Sequence, residues 1–206
     1  MTNLAAASTP SSPSRRATVQ RKTKETDIKA ALNLDGAGIS TISTGIGFLD
    51  HMLTALAVHA GIDLELSCIG DLHIDDHHTA EDCALALGAA VDQALGDRAG
   101  VARFGYAYAP LDESLARAVI DLVTRPSAVV CLSLTREMIG AMSCENLPHF
   151  FQSLAVAARL TLHLDVIRGE NDHHKAESAF KAFALAFKQA IGRTGSTAQP
   201  STKGVL

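Results

Sequence analysis

Two short stretches of the chain carry the same pattern of histidines followed by a glutamate. The first reads HHTAE at 77–81 and the second reads HHKAE at 173–177. A further histidine, His51 or His149, precedes its stretch by 26 or 24 residues, respectively. Imidazole and carboxylate ligands suit Mn, Fe, Zn or Ni, and the absence of cysteine from the set disfavours a structural zinc site. The predicted metal ligands are His51, His77, His78, Glu81, His149, His173, His174 and Glu177.

Helix geometry limits how these ligands can be shared. Adjacent residues on a helix point about 100° apart, so one metal cannot readily take both neighbouring imidazoles. Glu81 follows His77 by four residues and shares its face. We expect His77 and Glu81 to bind one metal and His78 to reach a second, with the same division in the other copy. Each metal would then receive two residues from one helix, one from the other, and a third imidazole from His51 or His149. Such a set leaves octahedral positions open, which is typical of a catalytic metal site.

The sequence around these motifs is also duplicated, so the ligands belong to two copies of one unit. LDHMLTALAV at 49–58 matches LPHFFQSLAV at 147–156 at an offset of 98. Apolar periodicity then repeats in the same order in both copies. It predicts strands at 26–34, 39–44, 62–68, 117–123, 128–135 and 161–167, and helices at 48–59, 76–95, 148–160 and 172–191. The predicted fold is α+β, a tandem of β-β-α-β-α units with the helices on one face of each sheet.

The tandem divides the chain into four regions. Residues 1–16 are rich in Ala, Ser, Thr and Pro, which predicts a disordered tail. Residues 17–100 and 101–192 form the first and second repeats. Residues 193–206 contain Gly, Ser, Thr and Pro and are expected to be irregular.

Composition narrows the classes of partner and compartment. The net charge of −4 argues against a nucleic acid or an anionic membrane as a partner. No apolar run approaches about 18 residues, so no membrane span is predicted. The four cysteines lie far apart without a CxxC pair. This usage indicates buried thiols in a reducing compartment, and we expect a cytoplasmic protein.

Several motifs resemble those of the imidazoleglycerol-phosphate dehydratase family. They are GFLDHML at 47–53, GDLHIDDHHTAED at 70–82, APLDE at 109–113, GENDHHKAE at 169–177 and PSTKGVL at 200–206. The resemblance implies half-domains of the ribosomal protein S5 domain 2-like type, each with a left-handed βαβ crossover, a rare hand. It also implies two Mn²⁺ per active site and a homo-oligomer of 24 subunits built from trimers, with active sites between neighbouring subunits.

The family resemblance further implies a reaction and the residues that perform it. Water is removed from imidazole glycerol phosphate, giving imidazole acetol phosphate in histidine biosynthesis. A metal on a ring nitrogen would favour an imidazolate, which expels hydroxide through a diazafulvene-like intermediate. Catalytic roles are implied for Glu25, Glu81 and Glu177. Substrate-binding roles are implied for Glu25, His51, His59, Arg103, Arg125, Lys181, Ser201, Thr202 and Lys203. Ala55 and Thr124 stand where a glutamine and a glycine are usual in the family.

Two other functions remain open for a duplicated His/Glu ligand set. A binuclear metallohydrolase of phosphate esters uses similar ligands, but it usually includes a bridging aspartate, and none recurs here at a ligand spacing except at the helix starts. Phosphate release from the substrate would identify that class. A metal-storage or metal-dependent assembly protein would show metal content and an oligomer without turnover.

Overall fold

The computed structural model describes residues 14–204 and 206. The expected disordered tail lies outside the described residues as far as residue 13, whereas Arg16 already begins a strand. The first half contains β1 (Arg16–Lys22), β2 (Thr26–Asn33), β3 (Ser40–Ser43), α1 (Gly47–Ala60), β4 (Asp63–Gly70) and α2 (His77–Leu95). The second half contains β5 (Phe104–Leu111), β6 (Ser114–Asp121), β7 (Ser127–Cys131), β8 (Met138–Ile139), β9 (Met142–Ser143), α3 (Asn146–Ala157), β10 (Thr161–Arg168) and α4 (Asp172–Ala190).

The two halves build four-stranded sheets of identical topology. The strand order is β1-β2-β4-β3 in the first sheet and β5-β6-β10-β7 in the second. In each sheet the last strand pairs in parallel with its neighbour, and the other pairs are antiparallel. The α+β class and the duplicated layout predicted from the sequence are therefore confirmed.

Each half has one strand more than the sequence predicted, at its amino end, and the second half adds the short β8–β9 pair. β1 has no fully buried residue, so its apolar signal is weak. β5 buries only small residues, Gly105, Ala107 and Ala109, while its aromatic side chains face outwards. A β-carbon at Gly105 would lie 1.9 Å from the carbonyl oxygen of Ala186, so α4 approaches β5 more closely than any side chain permits.

The helices pack on one face of each sheet and also on helices of the other half. α2 packs on α3, and α1 packs on α4. At the first of these crossings, a β-carbon at Gly88 would lie 2.6 Å from the β-carbon of Ala157 and 2.8 Å from the carbonyl oxygen of Leu154. Leu49, Met52 and Phe150 are among the side chains fully buried in the shared core. Because the helix pairs cross between halves, each half can bring a histidine to the glutamate of the other.

Within the part of the chain that the structure describes, no helix is both long enough and apolar enough to cross a membrane.

Candidate metal centre

Buried aspartates fix the starts of the two helices that carry the HHxxE motifs. Asp76 accepts hydrogen bonds from the backbone N–H and the hydroxyl of Ser143, at 2.7 and 2.6 Å. Asp172 accepts from the backbone N–H groups of Thr135 and Arg136, at 2.8 and 2.6 Å. The capping contacts come from Asp75 and Asn171.

Those caps are equivalent in the two copies. Oδ1 of Asp75 accepts from the backbone N–H of His77, and Oδ1 of Asn171 accepts from that of His173, both at 2.9 Å. The side chains of Asp76 and Asp172 point instead to neighbouring segments, which anchors both helix starts. The ligand motifs therefore begin at rigidly held positions.

The first cluster of candidate ligands combines His77 and Glu81 of α2 with His149 of α3. Nε2 of His149 lies 3.2 Å from Oε1 of Glu81, and Nε2 of His77 lies 4.0 Å from Oε2. The two imidazole rings stack with centroids 4.9 Å apart. Nδ1 of His77 lies 3.0 Å from the amide oxygen of Asn146, which holds the proton on Nδ1 and leaves Nε2 to face the glutamate.

The second cluster combines His51 of α1 with His173 and Glu177 of α4. Nε2 of His51 and Nε2 of His173 lie 3.2 and 3.3 Å from the same oxygen, Oε2 of Glu177. Lys181 holds the other oxygen, with Nζ 2.7 Å from Oε1. Burial alone would raise the pKa of Glu177, but hydrogen bonds from Lys181 and His51 outweigh it, and the pKa is lowered. Glu177 is therefore a carboxylate at neutral pH.

His78 and His174 lie outside both clusters within one chain. Nδ1 of His78 lies 3.0 Å from Oδ2 of Asp71, and its Nε2 lies 3.9 Å from Oε1 of Glu25. Nδ1 of His174 lies 2.7 Å from Oε2 of Glu113. The hydrogen bonds to Asp71 and Glu113 raise the pKa of the two histidines. The expected transfer of one histidine to the other copy's metal is thus not made inside a single chain.

Sequence reasoning assigned no role to Asp71, Glu113 or Asn146, although the first two stand in motifs that signalled the family. Glu113 is the counterpart of Glu25, because each glutamate occupies the turn of a hairpin, β5–β6 or β1–β2. Each also reaches the second histidine of the motif in its own half. The duplication of those turns was the signal that could have identified Glu113.

Residues expected to contact substrate fall into two groups in space. Glu25, His59 and Lys181 lie on the same side of the molecule as the ligand clusters. The turn that carries Glu25 is tied to α2, because Thr26 donates a hydrogen bond to buried Asp82. Burial, and then the nearby Lys181 charge, lower the pKa of His59.

The other group lies at the far end of α4. The backbone N–H of Arg103 donates to the carbonyl of Ala190, at 2.9 Å, and its Nη1 donates to the carbonyl of Pro200, at 2.7 Å. Arg103 also pairs with Asp121, at 2.7 Å. At about 1.5 Å of rise per residue, Ala190 is roughly 25 Å from His173 along the helix. The remaining members of this group are Arg125, exposed in the segment after β6, and Ser201, Thr202 and Lys203 of the C-terminal segment.

The shape of the surface agrees with open, solvent-accessible ligand clusters. A depression of about 390 Å³ is lined by His77, Asn146, His149 and Gln152. A larger cleft of about 660 Å³ lies beside β7 and α3 and contains no cluster residue. The chemistry of the side chains, rather than the size of the cavity, therefore identifies the site.

Both clusters fit a divalent transition metal. Each offers two imidazole nitrogens and one carboxylate, with ligand atoms within 4.8 Å of one another. Nε2 of His149 is buried and makes no hydrogen bond among the described residues, although it lies 3.2 Å from Oε1 of Glu81, so this nitrogen is available to a metal in the first cluster. Three protein ligands per cluster leave positions for further ligands or substrate.

Comparisons with known proteins identify the family of the chain. The sequence profile described as imidazoleglycerol-phosphate dehydratase matches residues 44–187. The imidazoleglycerol-phosphate dehydratase of Kluyveromyces lactis is 54% identical over 94% of this chain and 98% of its own length. That of Phytophthora nicotianae is 58% identical over 93% of this chain, which spans only 42% of that longer protein.

Solved structures give the same answer for the fold. The chain is similar to imidazoleglycerol-phosphate dehydratase from Staphylococcus aureus, with a TM-score of 0.79 and 37% identity, over 87% of this chain and 99% of that one. It is equally similar to the enzyme from Pyrococcus furiosus in complex with (S)-C348, at a TM-score of 0.79 and 35% identity, over 91% and 100%. The chain belongs to the imidazoleglycerol-phosphate dehydratase family of hydro-lyases.

Proposed function

We propose that the chain removes water from imidazole glycerol phosphate, giving imidazole acetol phosphate in histidine biosynthesis, with Mn²⁺ at both ligand clusters. The observation that carries the proposal is the pair of clusters, His77–Glu81–His149 and His51–His173–Glu177, in a chain of this family. Mn²⁺ bound there would act as a Lewis acid on the substrate imidazole, which favours loss of a ring proton. Soft thiolate ligands are absent from both clusters, as suits manganese.

Glu25 is the proposed acid/base. Its side chain is half exposed in the β1–β2 turn, close to Nε2 of His78, so it is accessible to a substrate held at the metals. Its backbone N–H donates to Thr23, and the adjacent Thr26 is fixed to Asp82, so the turn presents the carboxylate from a held position. A carboxylate so placed can take the proton from a substrate carbon and return it to the leaving hydroxyl. Glu81 and Glu177 keep the metals bound.

The proposed active site is completed by neighbouring subunits. Within one chain, Arg103 and the C-terminal segment lie roughly 25 Å from His173 along α4, too far to hold one small substrate at the metals. A neighbouring chain would supply these phosphate-binding groups, and His78 and His174 would complete the metal sites of adjacent chains. The proposed assembly is the family's particle of 24 subunits built from trimers.

The state of the cysteines supports a reducing compartment, which we take to be the cytoplasm. All four cysteines are free thiols. Cys68, Cys83 and Cys144 are buried, as the sequence predicted, whereas Cys131 is exposed.

The test is turnover of imidazole glycerol phosphate by metal-stripped protein before and after addition of Mn²⁺. We expect imidazole acetol phosphate only after Mn²⁺ is restored, without release of inorganic phosphate. Release of inorganic phosphate without the keto product would indicate a metallohydrolase instead. Bound Mn²⁺ and a large particle without any turnover would indicate a storage or assembly protein.

A further inference from the structure

The two ligand clusters come from one repeat, but the helices that carry them differ one turn after the glutamate. At an offset of 96, Lys181 follows Glu177 where Leu85 follows Glu81. Leu85 is half-buried and Lys181 is 20% exposed, so both side chains lie against the protein surface. The duplication therefore places a fixed positive charge beside one cluster and an aliphatic side chain beside the other.

The two carboxylate oxygens of Glu177 have different partners, and Lys181 is one of them. Oε2 faces the imidazoles of His51 and His173, at 3.2 and 3.3 Å. Oε1 is held by the ammonium group of Lys181, at 2.7 Å. A metal at this cluster would take Oε2 alone while the ion pair persists, so Glu177 would bind it through one oxygen.

Glu81 has both oxygens directed at histidines. Oε1 lies 3.2 Å from Nε2 of His149, and Oε2 lies 4.0 Å from Nε2 of His77. Among the described residues, the ion pairs of Glu81 are confined to these two histidines. Both oxygens are therefore available to one metal, and no lysine or arginine of the described residues pairs with the carboxylate.

Both differences lower the metal affinity of the second cluster relative to that of the first. With neutral imidazoles, the first cluster has a net charge of −1, and the second, with Lys181, has a net charge of zero. The Glu177 and Lys181 side chains are only 13% and 20% exposed, so solvent screens the ammonium poorly. At an effective dielectric constant of about 20, an ammonium a few ångströms from a divalent cation weakens the binding of that cation by more than ~1.4 kcal/mol. This energy corresponds to a tenfold change in the dissociation constant.

We infer that the two metal sites of each chain are unequal, and that His77–Glu81–His149 fills before His51–His173–Glu177 because Lys181 occupies one oxygen of Glu177. The inference deepens the proposed function and rests on its assignment of a metal to both clusters. Loading of this chain is then ordered, and a partly loaded form holds one metal per chain.

The experiment is a Mn²⁺ titration of metal-stripped full-length protein, with free Mn²⁺ measured by electron paramagnetic resonance. Wild type should show two classes of one site per chain, with dissociation constants separated by about tenfold or more. Lys181→Met should tighten the weaker class and reduce the separation to roughly threefold or less. The reciprocal change, Leu85→Lys, should weaken the tighter class. Glu81→Gln and Glu177→Gln identify the two classes, because each should abolish one of them.

A matched control removes the same charge elsewhere on α4. Lys188 is exposed near the end of that helix, so Lys188→Met should leave both classes as in wild type. Circular dichroism checks that every variant is folded. Two equal classes in wild type, or an unchanged separation in Lys181→Met, would overturn the inference while leaving an active Mn²⁺ enzyme intact. Turnover without bound Mn²⁺ would contradict the manganese assignment in the proposed function and this inference with it.

Discussion

Nδ1 of His78 lies 3.0 Å from a carboxylate oxygen of Asp71, and the same relationship joins His174 to Glu113 in the other half, at 2.7 Å. A carboxylate at Nδ1 holds the ring proton there and leaves the lone pair on Nε2. These two histidines are therefore oriented as ligands although neither is part of a ligand cluster within its own chain. The carboxylates, in different turns, preserve one arrangement across the duplication.

Removal of that support should weaken metal binding. We expect Asp71→Ala to reduce Mn²⁺ affinity by about 10- to 100-fold, because His78 loses its fixed tautomer and ring orientation. Equilibrium dialysis against Mn²⁺ measures the change. Asp27→Ala is the control, because the one ion pair that Asp27 makes among the described residues is an exposed pair with Lys22 on the same sheet. Unchanged affinity in Asp71→Ala would mean that metal binding does not depend on support of His78 by Asp71.

Glu25 and its counterpart Glu113 should respond differently to the same change. Glu25→Gln should lower kcat by roughly 10²- to 10⁴-fold while the Mn²⁺ content stays normal, since a proton acceptor is lost and no ligand is disturbed. Glu113→Gln should lower Mn²⁺ affinity, because it supports His174. Turnover and metal content are measured on the same samples. Normal kcat in Glu25→Gln would assign the proton transfer to another group.

The C-terminal segment should bind the substrate phosphate. Lys203→Ala should raise KM more than it lowers kcat, because a phosphate contact is made in the ground and transition states alike. Loss of one charged hydrogen bond costs about 1.5–3 kcal/mol, which corresponds to roughly 10- to 150-fold. Steady-state kinetics gives both constants. A variant lacking residues 200–206 should retain metal content and assembly, and a normal KM in that variant would contradict the assignment.

Metal binding and assembly should be linked. If His78 and His174 complete the metal sites of adjacent chains, metal removal weakens contacts between subunits by mass action. Chelation should therefore shift the large particle to a smaller one, such as a trimer, and Mn²⁺ should restore it. Light scattering with size-exclusion chromatography measures both states. The same mass before and after complete metal removal would exclude this linkage.

Acid should remove the stability contributed by Asp172. Burial would raise its pKa, but hydrogen bonds from Lys175, Arg136 and Thr135 outweigh that effect and lower the pKa to about 2. Because the pKa is lower in the folded state, the carboxylate stabilises the fold above pH 4 and ceases to do so as the pH falls towards 2. The contribution is roughly 2 kcal/mol. In metal-free protein, wild type should therefore have a higher unfolding free energy than Asp172→Asn, and this difference should be larger at pH 6 than at pH 3. A difference that does not change with pH would contradict this role.

Apolar periodicity in the sequence predicted the helices and the inner strands, and the repeated HHxxE pattern predicted the ligand residues. The partnership of His51 with Glu177 could not be predicted, because it depends on how α1 crosses α4 between the halves. β5 escaped prediction since its buried side chains are alanine and glycine, which carry little periodic signal. The roles of Asp71 and Glu113 were also not predicted, because a lone carboxylate in a turn is ordinarily solvated.

The crossed helix pairs also bear on the origin of the duplicated chain. Each cluster takes a histidine from one half and a histidine with a glutamate from the other, so neither half contains a complete ligand set. An ancestor of half this length would have formed such a site only as a dimer of identical units, with two equivalent clusters related by its twofold axis. Fusion of two such units would make that dimer permanent and would free each cluster to change separately. Lysine after one glutamate and leucine after the other are differences that a symmetric ancestor could not have contained.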